Sequence, residues 1–162
     1  MTHIHPLAKI SSKADIEEST RGSKVTIGQN SVVDSFVKIK FAGGVGDVII
    51  GSSTYINSGC VLYSGNGITI GDHVSIAANV VFAPVNHSFE QKSQLIQRQG
   101  FKVSKGGIVI EDDVWLGAGC VLLDGALIRK GCVVGAMSLV RGELPAYSIH
   151  AGTPLKLIGW RK

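Results

Sequence analysis

Five histidines and three cysteines are the side chains of this sequence with types suited to proton transfer, nucleophilic attack or metal binding. His87 stands in the stretch Pro84-Val85-Asn86-His87-Ser88-Phe89-Glu90. An imidazole with an ordinary pKa near ~6.5 takes a proton readily at neutral pH. His87 therefore reads either as a general base or as a loop histidine bonded to a carbonyl. His3 and His5 form a His-x-His pair, but Ile4 between them begins a repeat, so the pair reads as the opening of a coil and not a metal site. His73 falls in the turn Gly71-Asp72-His73, a solvated corner, and His150 packs near Gly152-Thr153-Pro154. Cys60, Cys120 and Cys132 are odd in number and lack CxxC spacing, which argues against a disulfide frame or a zinc knuckle. A reducing, cytoplasmic compartment is the expectation.

The elements that must position these residues follow from composition and period. Gly accounts for 21 of the 162 residues, well above an average share of ~7%. Aromatic residues are 6%, charged residues 17% and hydrophobic residues 44%, which excludes a disordered chain. Only four prolines and no three-residue glycine period exclude collagen. No stretch approaches the ~20 apolar residues of a membrane span, and no signal peptide is visible at the start. A net charge of +4 suits an anionic small ligand and is too dispersed for nucleic acid.

An aliphatic or aromatic residue recurs every six positions, in five runs. They are Ile4-Ile10-Ile16, Ile27-Val33-Ile39, Ile50-Ile56-Leu62, Ile70-Ile76-Phe82, and Ile110 through Leu116, Leu122, Ile128 and Val134 to Val140. Four residues after 14 of these 18 starts comes a small or β-branched residue, among them Ala8, Thr20, Ser31, Thr54, Cys60, Cys120, Cys132 and Ser138. The exceptions, Gly43, Asn66, Asn86 and Leu144, each close a run, where the register breaks. A six-residue period fits neither a helix nor a long strand; it reads as a short strand and a tight turn with two residues pointing inward. Stacked coils of three such units bury a continuous axial core, so the sequence predicts a parallel β-helix of about six coils. A single domain over 1–162 is expected, with an extruded loop at about 83–107 and a C-terminal segment at about 143–162. The three cysteines then fill inward sites and are inert.

The rows resemble the hexapeptide-repeat acyltransferases, and the loop narrows the likeness to their sugar O-acetyltransferase branch. The residues that carry it are Asn86-His87-Ser88-Phe89-Glu90, Arg98-Gln99-Gly100-Phe101, Val114-Trp115-Leu116-Gly117-Ala118, Leu144-Pro145-Ala146-Tyr147-Ser148-Ile149 and Gly152-Thr153-Pro154. The resemblance implies a left-handed helix, whereas the general rule for parallel crossovers favours the right hand. It implies acetyl transfer from acetyl-CoA to a sugar hydroxyl in surface polysaccharide or lipopolysaccharide biosynthesis, without a metal, by a homotrimer whose sites lie between prisms. His87 is the implied base, with Glu90 as a candidate to orient it and a backbone N–H at Gly117 or Ala118 for the oxyanion.

Further roles come with the resemblance. Asn57, Tyr55, Asn86 and Glu90 are assigned to the acceptor, although Asn57 equally suits a turn asparagine that braces a corner. Trp115, Gly117, Ala118, Ala136, Arg141, Thr153 and Lys156 are assigned to acetyl-CoA, with Arg161 and Lys162 near its phosphates. Trp115 follows an inward Val and points outward near the loop, either at a subunit contact or as a wall of the cofactor groove. The chain departs from the family at Val85, where relatives carry an extra histidine. It departs again at Arg141-Gly142, in place of Thr-Lys, and at Lys156, in place of Arg. Two rivals remain: N-acetylation of a nucleotide-linked amino sugar, with Phe89 and Phe101 stacking a base, and a non-catalytic structural β-helix. The second would show a Thr ladder, and none is present.

Overall fold

Each six-residue unit forms a strand of two or three residues and then a corner, and three units complete a coil. The computed structural model, which describes residues 2–162, winds these coils into a three-sided prism. The first face stacks Thr2–Ile4, Val25–Ile27, Val48–Ile50, Ile68–Ile70, Ile108–Ile110, Ala126–Ile128 and Glu143–Leu144. The second stacks Lys9–Ile10, Val32–Val33, Tyr55–Ile56, Ser75–Ile76, Trp115–Leu116, Val133–Val134 and Ser148–Ala151. The third holds Asp15–Ile16, Lys38–Lys40, Val61–Tyr63, Val81–Ala83, Val121–Leu123 and Leu139–Val140. Neighbours pair in parallel, except that Lys156–Trp160 returns antiparallel along Ser148–Ala151.

The two inward columns of the sequence are the core. Every column residue from Ile27 to Val140 is at most 1% exposed. Identical positions meet across the ladder, as Ile50 with Ile70 and Ile70 with Ile110, so each aliphatic side chain packs on its counterpart one coil away. Full burial of such a side chain is worth ~1.5–3 kcal/mol, so stacking is the main source of stability. The polar members of the small column are satisfied inside the wall. Ser31 Oγ donates to Gly51 O at 2.6 Å and Thr54 Oγ1 to Gly71 O at 2.8 Å, so neither hydroxyl is left unpaired by burial.

Both ends of the prism depart from the expected pattern. In the first coil Ile4 is 42% exposed and Thr20, expected inward, is exposed, because a coil buries its face only against neighbours and the described residues supply none on that side. At the other end Leu144, expected to lie outside the register, is buried opposite Ile128. The corner Arg141–Gly142 is short enough to return the chain to the first face. Residues 143–151 therefore begin a seventh coil, and only the stretch beyond leaves the winding.

The three edges differ. Those between the first and second faces and between the second and third are tight corners of four residues, or three at Pro145–Tyr147. From the second coil onward each has one residue at positive φ, such as His73 at 57° and Asn79 at 60°. The edge between the third and first faces varies in length, and the long loop leaves from it.

Candidate active site

The loop runs from Pro84 to Gly107, between the strands Val81–Ala83 and Ile108–Ile110. Its two legs are tied together. His87 bridges Phe101 in antiparallel fashion, Lys102 N–H donates to Asn86 O at 2.8 Å, and Ser88 N–H donates to Gly100 O at 3.0 Å. The outer part is closed by glutamine side chains around the short turn Ile96–Arg98, with Gln99 Nε2 donating to Gln91 O and Gln94 O, both at 2.9 Å. The returning leg is clamped to the prism by Asp124, only 6% exposed, whose two oxygens accept Lys105 N–H at 2.8 Å and Gly107 N–H at 2.9 Å. Gly107 has φ of 76° and lies against the Asn66–Gly67 backbone, so the chain re-enters where a side chain has no room.

This bracing presents His87 at the third–first edge with its ring exposed and 4.7 Å from the Phe101 ring, tilted by 49°. No hydrogen bond to another residue engages its ring nitrogens among the described residues. The carbonyl-bonded alternative therefore has no counterpart in the structure. Two depressions share His87 as a wall. Towards the N-terminal coils lies a recess of about 210 Å3 lined by Ala42, Gly43, Tyr63, Ala83, Pro84, Val85 and Phe101. Towards the C-terminal coils lies a cleft of about 340 Å3 lined by Asn86, Phe89, Lys102, Val103, Lys105, Leu123, Asp124 and Arg141.

The charges of the cleft are unequal in availability. Lys102 is paired with Glu90 at 2.6 Å and lies over the Phe89 ring at 4.3 Å. Lys105 and Arg141 have no carboxylate partner among the described residues, and Asp124 turns both oxygens to backbone N–H groups. The cleft therefore offers two uncompensated cations beside His87. Glu90 is a correction: its Oε1 holds Lys102 and its Oε2 accepts the Phe89 N–H at 2.9 Å, so it does not orient His87. The Lys102 ammonium, helped by that N–H, holds its carboxyl down at about 2.

The remaining candidates lie elsewhere on the chain. Asn57, Gly117, Ala118 and Ala136 occupy the second–third edge, and Thr153 joins them by donating to Met137 O at 3.3 Å. Asn57 Nδ2 donates to Ile76 O at 2.7 Å, which is the corner-bracing role. Gly117 N–H donates to Val134 O at 2.7 Å and so is consumed by the ladder, whereas Ala118 N–H has no acceptor among the described residues. Tyr55 and Trp115 are exposed on the second face, each one strand from Ser75. That face is opposite the edge from which the loop leaves, so Trp115 is not near the loop of its own chain. Lys156 begins the antiparallel return strand, and Arg161 is held by Asp113 at 2.8 Å, away from the cleft. Of the site residues expected from sequence, one chain brings together His87, Asn86 and Arg141, with Glu90 nearby in the loop.

Three residues of the site were missed by sequence reasoning: Asp124, Lys105 and Tyr63. Asp124 carried a signal, an acid two residues after inward Leu122 at the edge facing the loop's return. The thiols match expectation: Cys60, Cys120 and Cys132 are fully buried, and burial raises all three, Cys60 to about 11. His150 is buried with Nε2 2.9 Å from Ser148 Oγ, and burial lowers its pKa. Among the described residues no cluster of three or more metal-ligating side chains occurs, and no helix is long and apolar enough to cross a membrane.

Comparison with known proteins bears on this geometry. Residues 107–142 match the family "bacterial transferase hexapeptide (six repeats)". A galactoside O-acetyltransferase of Lactococcus lactis is 33% identical over 128 residues, covering 79% of this chain. The match spans 59% of that relative's own length. A hexapeptide-repeat acetyltransferase of Vibrio cholerae, solved with acetyl coenzyme A, is 33% identical with a TM-score of 0.74, over 84% of this chain and 70% of that one. The N-acyltransferase AntD of Bacillus cereus, solved with dTDP-4-amino-4,6-dideoxyglucose and coenzyme A, is 27% identical with a TM-score of 0.82, over 99% and 84% of the two chains. With its repeats, its prism and these likenesses, the chain belongs to the hexapeptide-repeat acyltransferases, left-handed parallel β-helices, and is similar to their sugar O-acetyltransferases.

Proposed function

We propose that this protein transfers an acetyl group from acetyl-CoA to a sugar hydroxyl, with His87 as general base. The observation that carries the reading is the position of His87: an exposed, hydrogen-bond-free imidazole on the wall between an apolar recess and a cationic cleft. His87 takes the proton of the acceptor hydroxyl as that oxygen attacks the thioester carbonyl. The same imidazolium then returns the proton to the leaving thiolate, so the base is regenerated with no covalent enzyme intermediate. The thioester supplies an activated acyl group, so a base and an oxyanion donor are sufficient protein machinery. Lys105 and Arg141 suit the phosphate-bearing side of the donor, and a neutral acceptor suits the apolar side.

The oxyanion donor is assigned to Ala118 N–H, which the ladder leaves free. It lies across the third face from His87 on the same chain, as do Ala136 and Thr153. A homotrimer in which the second–third edge of one prism faces the loop of the next would unite the two sets. Such an assembly also gives Tyr55 and Trp115 a covered surface. The pathway, surface polysaccharide or lipopolysaccharide assembly, rests on the family resemblance.

The test is release of free thiol from acetyl-CoA across a panel of sugars and amino sugars. Turnover with hydroxyl acceptors and a product ester labile to mild base support the reading. Turnover confined to amines would favour the second one, N-acylation of a nucleotide-linked amino sugar, which the likeness to AntD over 99% of this chain motivates. Against the base-stacking part of that reading, Phe101 already packs on His87 and Phe89 lies under Lys102.

A further inference from the structure

The recess on the N-terminal side of His87 has a composition that restricts what it can bind. Its walls come from three successive coils: Ala42 and Gly43, then Tyr63, then Pro84 and Val85, with Phe101 folding over from the loop. Of the lining residues only Tyr63 and His87 carry polar side-chain atoms. A Cβ on Gly43 would lie 2.9 Å from Val85 Cγ2, so the isopropyl group rests directly on that backbone as an apolar part of the lining. At about 210 Å3 the recess is smaller than the ~300–1,000 Å3 pockets of drug-sized ligands, which suits one monosaccharide ring.

We propose that this recess binds the acceptor as a 6-deoxyhexose, with its methyl group and apolar ring face against Val85, Tyr63 and Phe101 and its reacting hydroxyl at His87. The inference rests on the acetyl-transfer reading of the same site. A fully hydroxylated hexose would bury hydroxyls for which this wall has no partner, a loss that a methyl group does not suffer. Only two polar side chains line it, Tyr63 and His87, which suits a ring with one hydroxyl fewer. An extended acyl chain of the donor would need neither. Apolar sites reject a ligand that merely adds a hydroxyl by only ~10²-fold, which sets the scale of the expected selectivity.

The experiment compares matched pairs with acetyl-CoA: methyl fucoside against methyl galactoside of the same configuration, and methyl rhamnoside against methyl mannoside. The 6-deoxy member of each pair should show a kcat/KM higher by roughly 10–100-fold. Val85→Thr, which keeps the shape and adds a hydroxyl to the wall, should narrow that ratio several-fold. Saturation-transfer NMR reads binding without turnover, and the C6 methyl should receive the strongest transfer. Acetylation that ignores C6, or favours the hydroxylated sugar, overturns the proposal and leaves acetyl transfer standing. So does a preference for butyryl-CoA or hexanoyl-CoA over acetyl-CoA without C6 discrimination, which would put the donor's acyl chain in the recess. Selective methyl contact without turnover supports the recess and refutes the activity. Neither binding nor turnover with any sugar overturns both.

Discussion

Asp124 holds Gly107 by a 2.9 Å hydrogen bond across the edge where the loop rejoins the prism, and its second oxygen holds Lys105 N–H. A buried carboxylate is thereby spent on the backbone of the segment that carries His87 and one of the two free cations. Asp124→Ala should lower stability by about 1–3 kcal/mol, the usual cost of removing hydrogen bonds to a charged group. It should also lower kcat by ~10-fold or more, because a loosened leg misplaces the base. Thermal melts, kinetics and limited proteolysis within 91–99 read the three effects together. A variant with unchanged melting and unchanged protease resistance would show that the clamp is dispensable.

The thiols should be inert. Burial lifts Cys60 to about 11, so at pH 8 only about one thiol in a thousand is ionised, and it faces the core. Ellman's reagent should label native protein far more slowly than unfolded protein. Substitution of Cys60, Cys120 or Cys132 by Ala should cost about 1 kcal/mol each with turnover retained. Rapid labelling together with lost activity would place a thiol in the chemistry.

Stability should decline in mild acid through His150. Its pKa is lowered in the folded state because burial penalises the charged ring, while the unfolded chain keeps the ordinary value of 6.5. The unfolded state thus binds an extra proton below that pH, and stability falls as pH drops through it. His150→Gln should flatten the melting temperature between pH 7.5 and 5.5. An identical acid loss in the variant would assign the effect to other groups.

Much of this fold was legible because two columns of side chains, six residues apart, must face one axis. Ile27, Ile50, Ile70, Ile110 and Ile128 stack as the spacing requires. Coil ends were less legible: Ile4 and Leu144 obey the presence or absence of a neighbouring coil, which no local pattern encodes. The same holds for the site. His87 stood out in the long interruption, but its partners come from other coils, as Tyr63, Asp124 and Arg141 do. Trp115 illustrates the limit: inward–outward alternation gave its direction correctly, yet which of three faces it lies on depends on counting corners. Glu90 is close to His87 in sequence, but the nearby Lys102 ammonium captures it.

Assembly is the next expectation. Light scattering at micromolar concentration should give a mass about three times the 17.0 kDa of the chain. Trp115→Asp should shift that mass downward and lower activity while the far-ultraviolet β signature persists. A fully active 17.0 kDa monomer would remove the need for a second prism and for the Ala118 assignment.

The central claim is that His87 accepts the acceptor's proton, and the most direct measurement is kcat of the His87→Ala enzyme with saturating acetyl-CoA. A loss of roughly 10²–10⁴-fold is predicted, the usual contribution of a positioned base. Acetyl-CoA affinity should hardly change, because Lys105 and Arg141 remain in place. His5→Ala and His73→Ala should stay near wild type, as both residues are exposed and far from the third–first edge cleft. Full turnover by His87→Ala would contradict the account, and weaker acetyl-CoA binding at unchanged kcat would make His87 a contact for the donor instead of the base.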